Sequence, residues 1–199
     1  MDTRQHILDT AERILQERGL ARVTTRDITR AAGLADGTLY VHFPHKEDLF
    51  LAILQRHLPA FVPTVQLEQA GTRPLRASLE AIALAAVRYY QELIPLTASL
   101  FADPVLLARH QTWMAAHGGP ERIYERVAAY LAAEQRLGRI RQHYQSLDLA
   151  ASLLGPCFQY AFLHCFLGTE PLDQSAEAFV SSMLQPLIAG CATEAELAE

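Results

Sequence analysis

Lysine is almost absent from this 199-residue chain: Lys46 stands alone, and the other sixteen of its 17 cations are arginines. Cysteine is nearly as scarce, with Cys157, Cys165 and Cys191 only. An odd number without paired spacing excludes a disulfide framework and points to a reducing, cytoplasmic setting. The N-terminus MDTRQHIL lacks the apolar run of an export signal. No uninterrupted apolar segment reaches membrane-spanning length. LLGPCFQYAFLHCFLG comes nearest, and Gln159 and His164 break it, so a soluble protein with no membrane partner is expected. Strand-like alternation, internal repeats and low-complexity runs are also missing. The eight histidines are scattered, and no His/Cys/Asp/Glu set has metal-ligand spacing. His42 and His45 fall across Pro44, which spoils a common helical face. There is no G-x-S-x-G nucleophile elbow. Neither an enzyme nor a metal or cofactor is expected.

An excess of positive charge is lacking too. The net charge is −5, which argues against general affinity for nucleic acid. The average hides an asymmetry. Residues 1–57 hold eight Lys+Arg and eight Asp+Glu, whereas residues 58–199 hold nine and fourteen. The head is neutral and the body acidic.

Helical periodicity fills the chain. Ile7, Leu8, Ala11, Ile14 and Leu15 make one apolar stripe of a helix from Thr3, a plausible cap, to Gly19. Leu20 to Val23 link it onward. A longer helix opens at Lys46 and runs to about Gln55, irregular beyond Leu58, where Pro59 and Pro63 interrupt; Leu49, Phe50, Ile53 and Leu54 face inward. Glu47 and Asp48 suit its positive end. The next runs from Pro74, which fits a first turn, to about Leu93, with Leu75, Leu79, Ile82, Ala83, Ala86 and Tyr90 in step. Pro95 ends or bends it. A short piece spans Leu96 to Ala102. Asp103-Pro104 starts a helix to about His117, and Pro120 another to about Leu137, with Ile123, Val127, Tyr130 and Leu131 inward. Asp148 to Leu167, capped by Ser146, is apolar on much of its circumference, which implies burial on more than one side. The last helix runs from about Leu172 to Ala189 and carries Phe179, Val180, Met183, Leu184, Leu187 and Ile188. The fold is all-α, with about nine helices.

The stretch Thr24 to Lys46, TTRDITRAAGLADGTLYVHFPHK, carries the sharpest pattern. Thr24 or Thr25 caps a short helix whose inward residues are Ile28, Ala31 and Ala32. Gly33 ends it in the left-handed conformation. Asp36 caps a second helix, Gly37 to Phe43, which Pro44 stops. Leu39 and Phe43 share its inner face. Two turns of helix cannot stand alone, so neighbours must hold it and its polar face is offered outward. The expected core of this unit is Ile14, Leu15, Val23, Ile28, Ala32, Leu39 and Phe43.

These residues closely resemble the DNA-binding signature of the TetR family of bacterial transcriptional regulators. Thr25-Arg26, Ala31-Ala32-Gly33-Leu34, Gly37-Thr38-Leu39-Tyr40, His42-Phe43 and Lys46-Glu47-Asp48-Leu49 carry the resemblance, over the first fifty to sixty residues. It implies a helix-turn-helix domain at 1–57, a helical effector and dimerisation domain at 58–193, and a frayed tail at 194–199. It also implies a homodimer whose recognition helices meet successive major-groove turns, about 34–36 Å apart, on a double-stranded operator, with repression relieved by a small molecule. Beside Thr24, Thr25 and Tyr40 hold hydroxyls suited to phosphate oxygens, and His42 can donate to phosphate or a base. Lys46 adds charge at a helix start. Such contacts position the protein without reading sequence. Base readers would be Arg26, Asp36, Thr38 and Val41, the last against a thymine methyl. Gly37 allows close backbone approach. Val41 departs from the large aromatic often found there in the family. The plainer reading makes Thr25 a cap and Tyr40 a packing residue, in a helical protein–protein module that has lost DNA binding.

In the body, Tyr89, Tyr90, Phe101, His110, Trp113, Tyr130 and Phe158 are candidates to line an apolar effector pocket with a few polar groups. The effector would be hydrophobic or aromatic. Phe162, Phe166, Phe179, Met183 and Leu187, with Phe158, are candidates for a dimer interface, where two helices from each protomer make a four-helix bundle. Each of these aromatics also suits an ordinary core. Cys157 and Cys165 lie too far apart along one helix for a bridge; a redox role and a buried apolar role are both open.

Overall fold

The computed structural model describes residues 2–18, 23–61, 70–98, 100–102 and 104–194. Among them lie nine α-helices: α1 (Thr3–Arg18), α2 (Thr25–Ala31), α3 (Asp36–His42), α4 (Lys46–Phe61), α5 (Leu75–Thr97), α6 (Pro104–His117), α7 (Glu121–Arg136), α8 (Ser146–Leu167) and α9 (Ala176–Cys191). Single 3-10 turns occupy Leu100–Ala102 and Pro171–Asp173. The expected link at Leu20–Arg22, Pro63, Asp103 and most of the tail lie outside the described residues, as does the side chain of Leu54. The chain divides into two compact units, Met1–Leu58 with Glu92–Gly118, and Pro59–Gln91 with Gly119–Glu199.

The first unit takes in more than the N-terminal segment. Its core joins Ile7, Leu8, Ala11, Ile14 and Leu15 of α1 to Ile28, Leu39, Phe43, Leu49, Phe50 and Ile53, and then to Leu100 and Leu106. Leu93 and Leu107 pack against this cluster. A boundary placed only at 57/58 therefore misses residues 92–118, whose leucines complete the same apolar cluster. Outside that core, Arg56 ties α4 to α1, 2.6 Å from Asp9 and 3.1 Å from Glu12. His6 Nε2 lies 3.0 Å from the Ala32 carbonyl, so α1 also meets the end of α2.

Several local expectations are corrected. Helix α5 runs through Pro95 to Thr97. A proline inside a helix removes one donor and leaves the carbonyl four residues earlier without its helical partner. That carbonyl is Gln91, and the Cys165 thiol lies 3.8 Å from it as donor. Helix α4 continues past Pro59 to Phe61. Ser146 is the first residue of α8, preceded by Gln145 without a side-chain cap. The final helix starts at Ala176, after Ser175, whose hydroxyl accepts from the Ala178 N–H. Leu172 instead sits in a 3-10 turn at φ 57°.

The second unit is built on α7, α8 and α9. Leu149, Leu153, Leu154, Cys157 and Tyr160 bury one side of α8, and Val180, Leu184 and Ile188 one side of α9. Helix α8 is long and apolar enough to cross a membrane by length and composition, contrary to the reading of its broken run, but 39% of its most apolar window is buried inside the protein. A core helix meets the same test. Glu134, fully buried, is satisfied on both oxygens: Tyr130 Oη donates at 2.6 Å, Arg139 Nη1 at 3.0 Å, and the Gly71 N–H at 3.3 Å. Arg139 also donates to the Arg73 carbonyl at 2.9 Å. A buried carboxylate persists only when charge and hydrogen bonds replace its water.

Leu39 is fully buried, whereas Val41, two residues on, is 78% exposed. Leu39→Ala is expected to destabilise the first unit by about 2–5 kcal/mol in urea unfolding, and Val41→Ala by no more than about 0.5 kcal/mol.

Candidate nucleic-acid interface

The head presents α3 on a fixed seat. A capping box starts α2: the Thr24 side chain accepts from the Asp27 N–H, and Asp27 Oδ2 accepts from the Thr24 N–H at 2.9 Å. The cap is thus Thr24, and the Thr25 hydroxyl is left for another use. It lies 3.1 Å from Tyr40 Oη, joining the first turn of α2 to α3. Two hydroxyls hold two protons, and one proton suffices for their mutual bond. The second can be donated outward, since Tyr40 is 50% exposed.

Gly33 closes α2 at φ 68°. Ala31 is exposed and Ala32 half-buried, whereas Thr29 is buried. Thr29 thus takes the inward place that the pattern gave to Ala31. Its hydroxyl donates to Asp36 Oδ1 at 2.8 Å. Asp36 does not cap α3: the position before the helix is Ala35, with no side-chain cap. Its second oxygen, Oδ2, lies 3.3 Å from Arg26 Nε. No protein atom lies within 4 Å of a Cβ built on Gly37, so internal packing does not demand glycine there. Thr38 and His42 are half-buried. Lys46 donates from Nζ to the Val23 carbonyl at 2.6 Å, pinning the start of α4 to the residue before the α2 cap.

Thr25, Arg26, Asp36, Tyr40 and Lys46 are therefore linked through contacts that bind α2, α3 and the start of α4 together. Thr29 and His6 were missed by sequence reasoning. Their signals are tertiary, at separations of 7 and 26 residues, and no local pattern encodes them.

The residues expected to line a pocket fall in both units. In the second, Tyr89 packs edge-on to Tyr90, with ring centroids 5.4 Å apart, and Tyr90 edge-on to Phe158 at 5.3 Å. Burial pushes the Tyr89 hydroxyl up to about 12, and raises Tyr90, with neighbouring Tyr124 adding to it. Tyr130 is committed to Glu134 and serves the buried carboxylate, not an open wall. Phe101, His110 and Trp113 belong to the first unit. Phe101 is 82% exposed while Leu100 takes the core side of the 3-10 turn, so its ring lines no enclosed space. His110 is half-buried, and burial holds its imidazole below the usual range.

All three cysteines are free. Cys157 is buried, donates to the Leu153 carbonyl at 3.1 Å and is pushed up to about 12 by burial, an inert thiol at neutral pH. Cys165 is exposed. Phe158, Phe162 and Phe166 form a stacked row along α8, with centroids 6.4 and 5.9 Å apart. Phe179, Met183 and Leu187 form a half-buried stripe beside the core face of α9, and Phe179 stacks on Tyr160 at 4.7 Å.

The family profile described as "Bacterial regulatory proteins, tetR family" matches residues 7–53, which hold α2, α3, most of α1 and the first half of α4. Residues 7–53 therefore carry the DNA-binding signature of the TetR family. Its head is similar to the HTH-type transcriptional regulator AcrR of Shigella flexneri, at 44% identity over 52 residues, 26% of this chain and 24% of that protein. It is also similar to the HTH-type transcriptional repressor KstR2 of Rhodococcus jostii (strain RHA1), at 39% over 79 residues, 40% and 39% of the two chains. These matches span about a quarter to two-fifths of the curated relatives' lengths. Beyond the TetR signature the likeness is one of fold. SmeT, the repressor of the Stenotrophomonas maltophilia multidrug efflux pump SmeDEF, in its triclosan complex has a TM-score of 0.70 at 21% identity, covering 98% of this chain and 94% of SmeT.

The capping geometry separates two adjacent threonines. Thr24→Ala is expected to cost about 1 kcal/mol of stability in chemical unfolding, and Thr25→Ala less than about half of that, because its hydroxyl satisfies no backbone donor of α2.

Proposed function

We propose that this protein binds a (pseudo)palindromic operator in double-stranded DNA as a homodimer, represses the adjoining genes from the cytoplasm, and leaves the DNA when a small hydrophobic or aromatic effector binds. One observation carries the DNA reading. A seven-residue helix, α3, is held by its buried Leu39 while Tyr40 and Val41 stay exposed and Thr25 joins Tyr40 at the edge. A helix this short gains nothing by itself; fixing it so firmly serves the surface that it presents. In a helix-turn-helix that surface enters the major groove. Thr25, Tyr40, His42 and Lys46 are then the phosphate-facing groups. Arg26, Thr38 and Val41 face bases, and Gly37 lets the backbone approach.

The dimer reading rests on α8 and α9. Phe158, Phe162 and Phe166 are 46%, 45% and 76% exposed in a continuous row. Water is a poor solvent for three stacked phenyl rings, and the same pair of helices from a second copy would cover them. The effector reading rests on the buried Tyr89 and Tyr90, against which the half-exposed Phe158 packs, and the triclosan bound by SmeT is an aromatic ligand of this fold.

Selection of bound sequences from random DNA at low salt, repeated with small aromatic compounds including triclosan, tests the proposal. Enrichment of an inverted repeat, lost in the presence of an effector, is the expected result; no enrichment at low salt refutes it. Within the same assay, Lys46→Gln retains a donor for the Val23 carbonyl but removes the charge. It is expected to weaken binding to all sequences about equally and to reduce the salt dependence by roughly one unit per head.

A further inference from the structure

Asp36 sits at the start of the helix proposed to enter the groove, where a carboxylate faces a polyanion. A base-reading role would have it accept from a cytosine N4 amine. Its surroundings point elsewhere. Both carboxylate oxygens already have partners inside the protein. Oδ1 accepts from the hydroxyl of Thr29, a side chain 1% exposed, at 2.8 Å. Oδ2 holds Arg26 Nε at 3.3 Å. The Thr29 hydroxyl also lies 3.2 Å from the Arg26 carbonyl, so a single buried group meets both residues. Turning Asp36 toward a base would break the 2.8 Å bond from the buried Thr29 hydroxyl and leave that group only the longer contact, 3.2 Å, to the Arg26 carbonyl.

The ion pair uses Arg26 through Nε. Contact at Nε is compatible with the two terminal nitrogens presenting the edge with which arginine grips a base bidentately. A guanidinium is planar, so fixing Nε also fixes the direction of that edge. We infer that Asp36 is a positioning residue: seated on Thr29, it aims Arg26 at one base pair of each half-site and does not itself read DNA. The inference rests on the DNA-binding reading above and assigns the selectivity of α2 and α3 at that position to a three-residue relay. Asp36 also has an opposing effect, since its charge repels phosphate and occupies Arg26. It therefore trades general affinity for selectivity.

The test is the random-sequence selection run on the full chain and its variants, with competition against mixed-sequence DNA. Arg26→Ala is expected to relax one base pair per half-site by about fivefold or more. Asp36→Asn should relax the same base pair by about two- to fivefold, the range of an exposed pair, and should raise affinity for mixed-sequence DNA. Combined with Arg26→Ala it should add nothing at that base pair. Thr29→Val, close in shape, should act in the same direction as Asp36→Asn, with thermal unfolding measured on both to confirm the fold. Relaxation at a different base pair from Arg26→Ala would make Asp36 a reader, and unchanged preference in both variants would leave the relay without function; either overturns the inference while the DNA-binding reading stands. A wild-type chain that enriches no sequence overturns both.

Discussion

The insertion of Leu39 and Phe43 into the core of the head is the interaction on which the rest depends. Both belong to the segment of α3, four residues apart, and both are buried among side chains from α1, α2 and α4. Each contributes roughly 1.5–3 kcal/mol of burial, which offsets the ordering cost of a helix that would not form alone. Without them there is no fixed outer face. With them, the positions of Thr38, Tyr40 and Val41 follow from helical geometry alone, because a helix anchored on one stripe has its opposite stripe determined.

Hydrogen bonds refine what the apolar seat establishes. The Thr24–Asp27 box fixes where α2 begins. Thr29 and Asp36 join α2 to α3 across the turn, and Lys46 joins α4 to the residue before the α2 cap. The charge pattern gives these contacts their weight. With no net charge on residues 1–57, the proposed DNA affinity rests on a few groups held in place rather than on bulk charge. The body has another logic: Glu134 is a buried charge satisfied by Tyr130, Arg139 and Gly71, and α8 divides its circumference between its own core and an exposed aromatic row.

Much of this was legible in the sequence, where the signals are local. Glycine at helix ends, a threonine cap, and apolar residues at three and four residue spacing placed the helices and most of the head core: Ile14, Leu15, Val23, Ile28, Leu39 and Phe43 are all buried. The failures share a physical cause. Asp36 suits a helix start by composition, but a buried hydroxyl seven residues earlier claims its oxygen. Ala31 carries too little side chain to declare a face, and Thr29, polar by type, is inside because it has a partner. Pro95 breaks a helix by propensity, yet flanking packing carries α5 through. The leucines of residues 92–118 belong to the head core because the chain returns to it after a long separation, which no window of sequence contains. Phe101 and Tyr130 were grouped by chemistry alone. One is out in solvent, and the other serves a buried acid.

The central claim is that a neutral head binds DNA through a small number of placed contacts. The salt dependence of binding to a selected sequence tests it most directly, because each cation neutralising a phosphate contributes about −0.9 to the slope of log affinity against log salt. One or two charged contacts per head in a dimer predict a slope of about −2 to −4. A slope near zero, or one as steep as about −8 or beyond, would contradict the account: the first denies the phosphate contacts, and the second requires a broad field of positive charge that this head does not have.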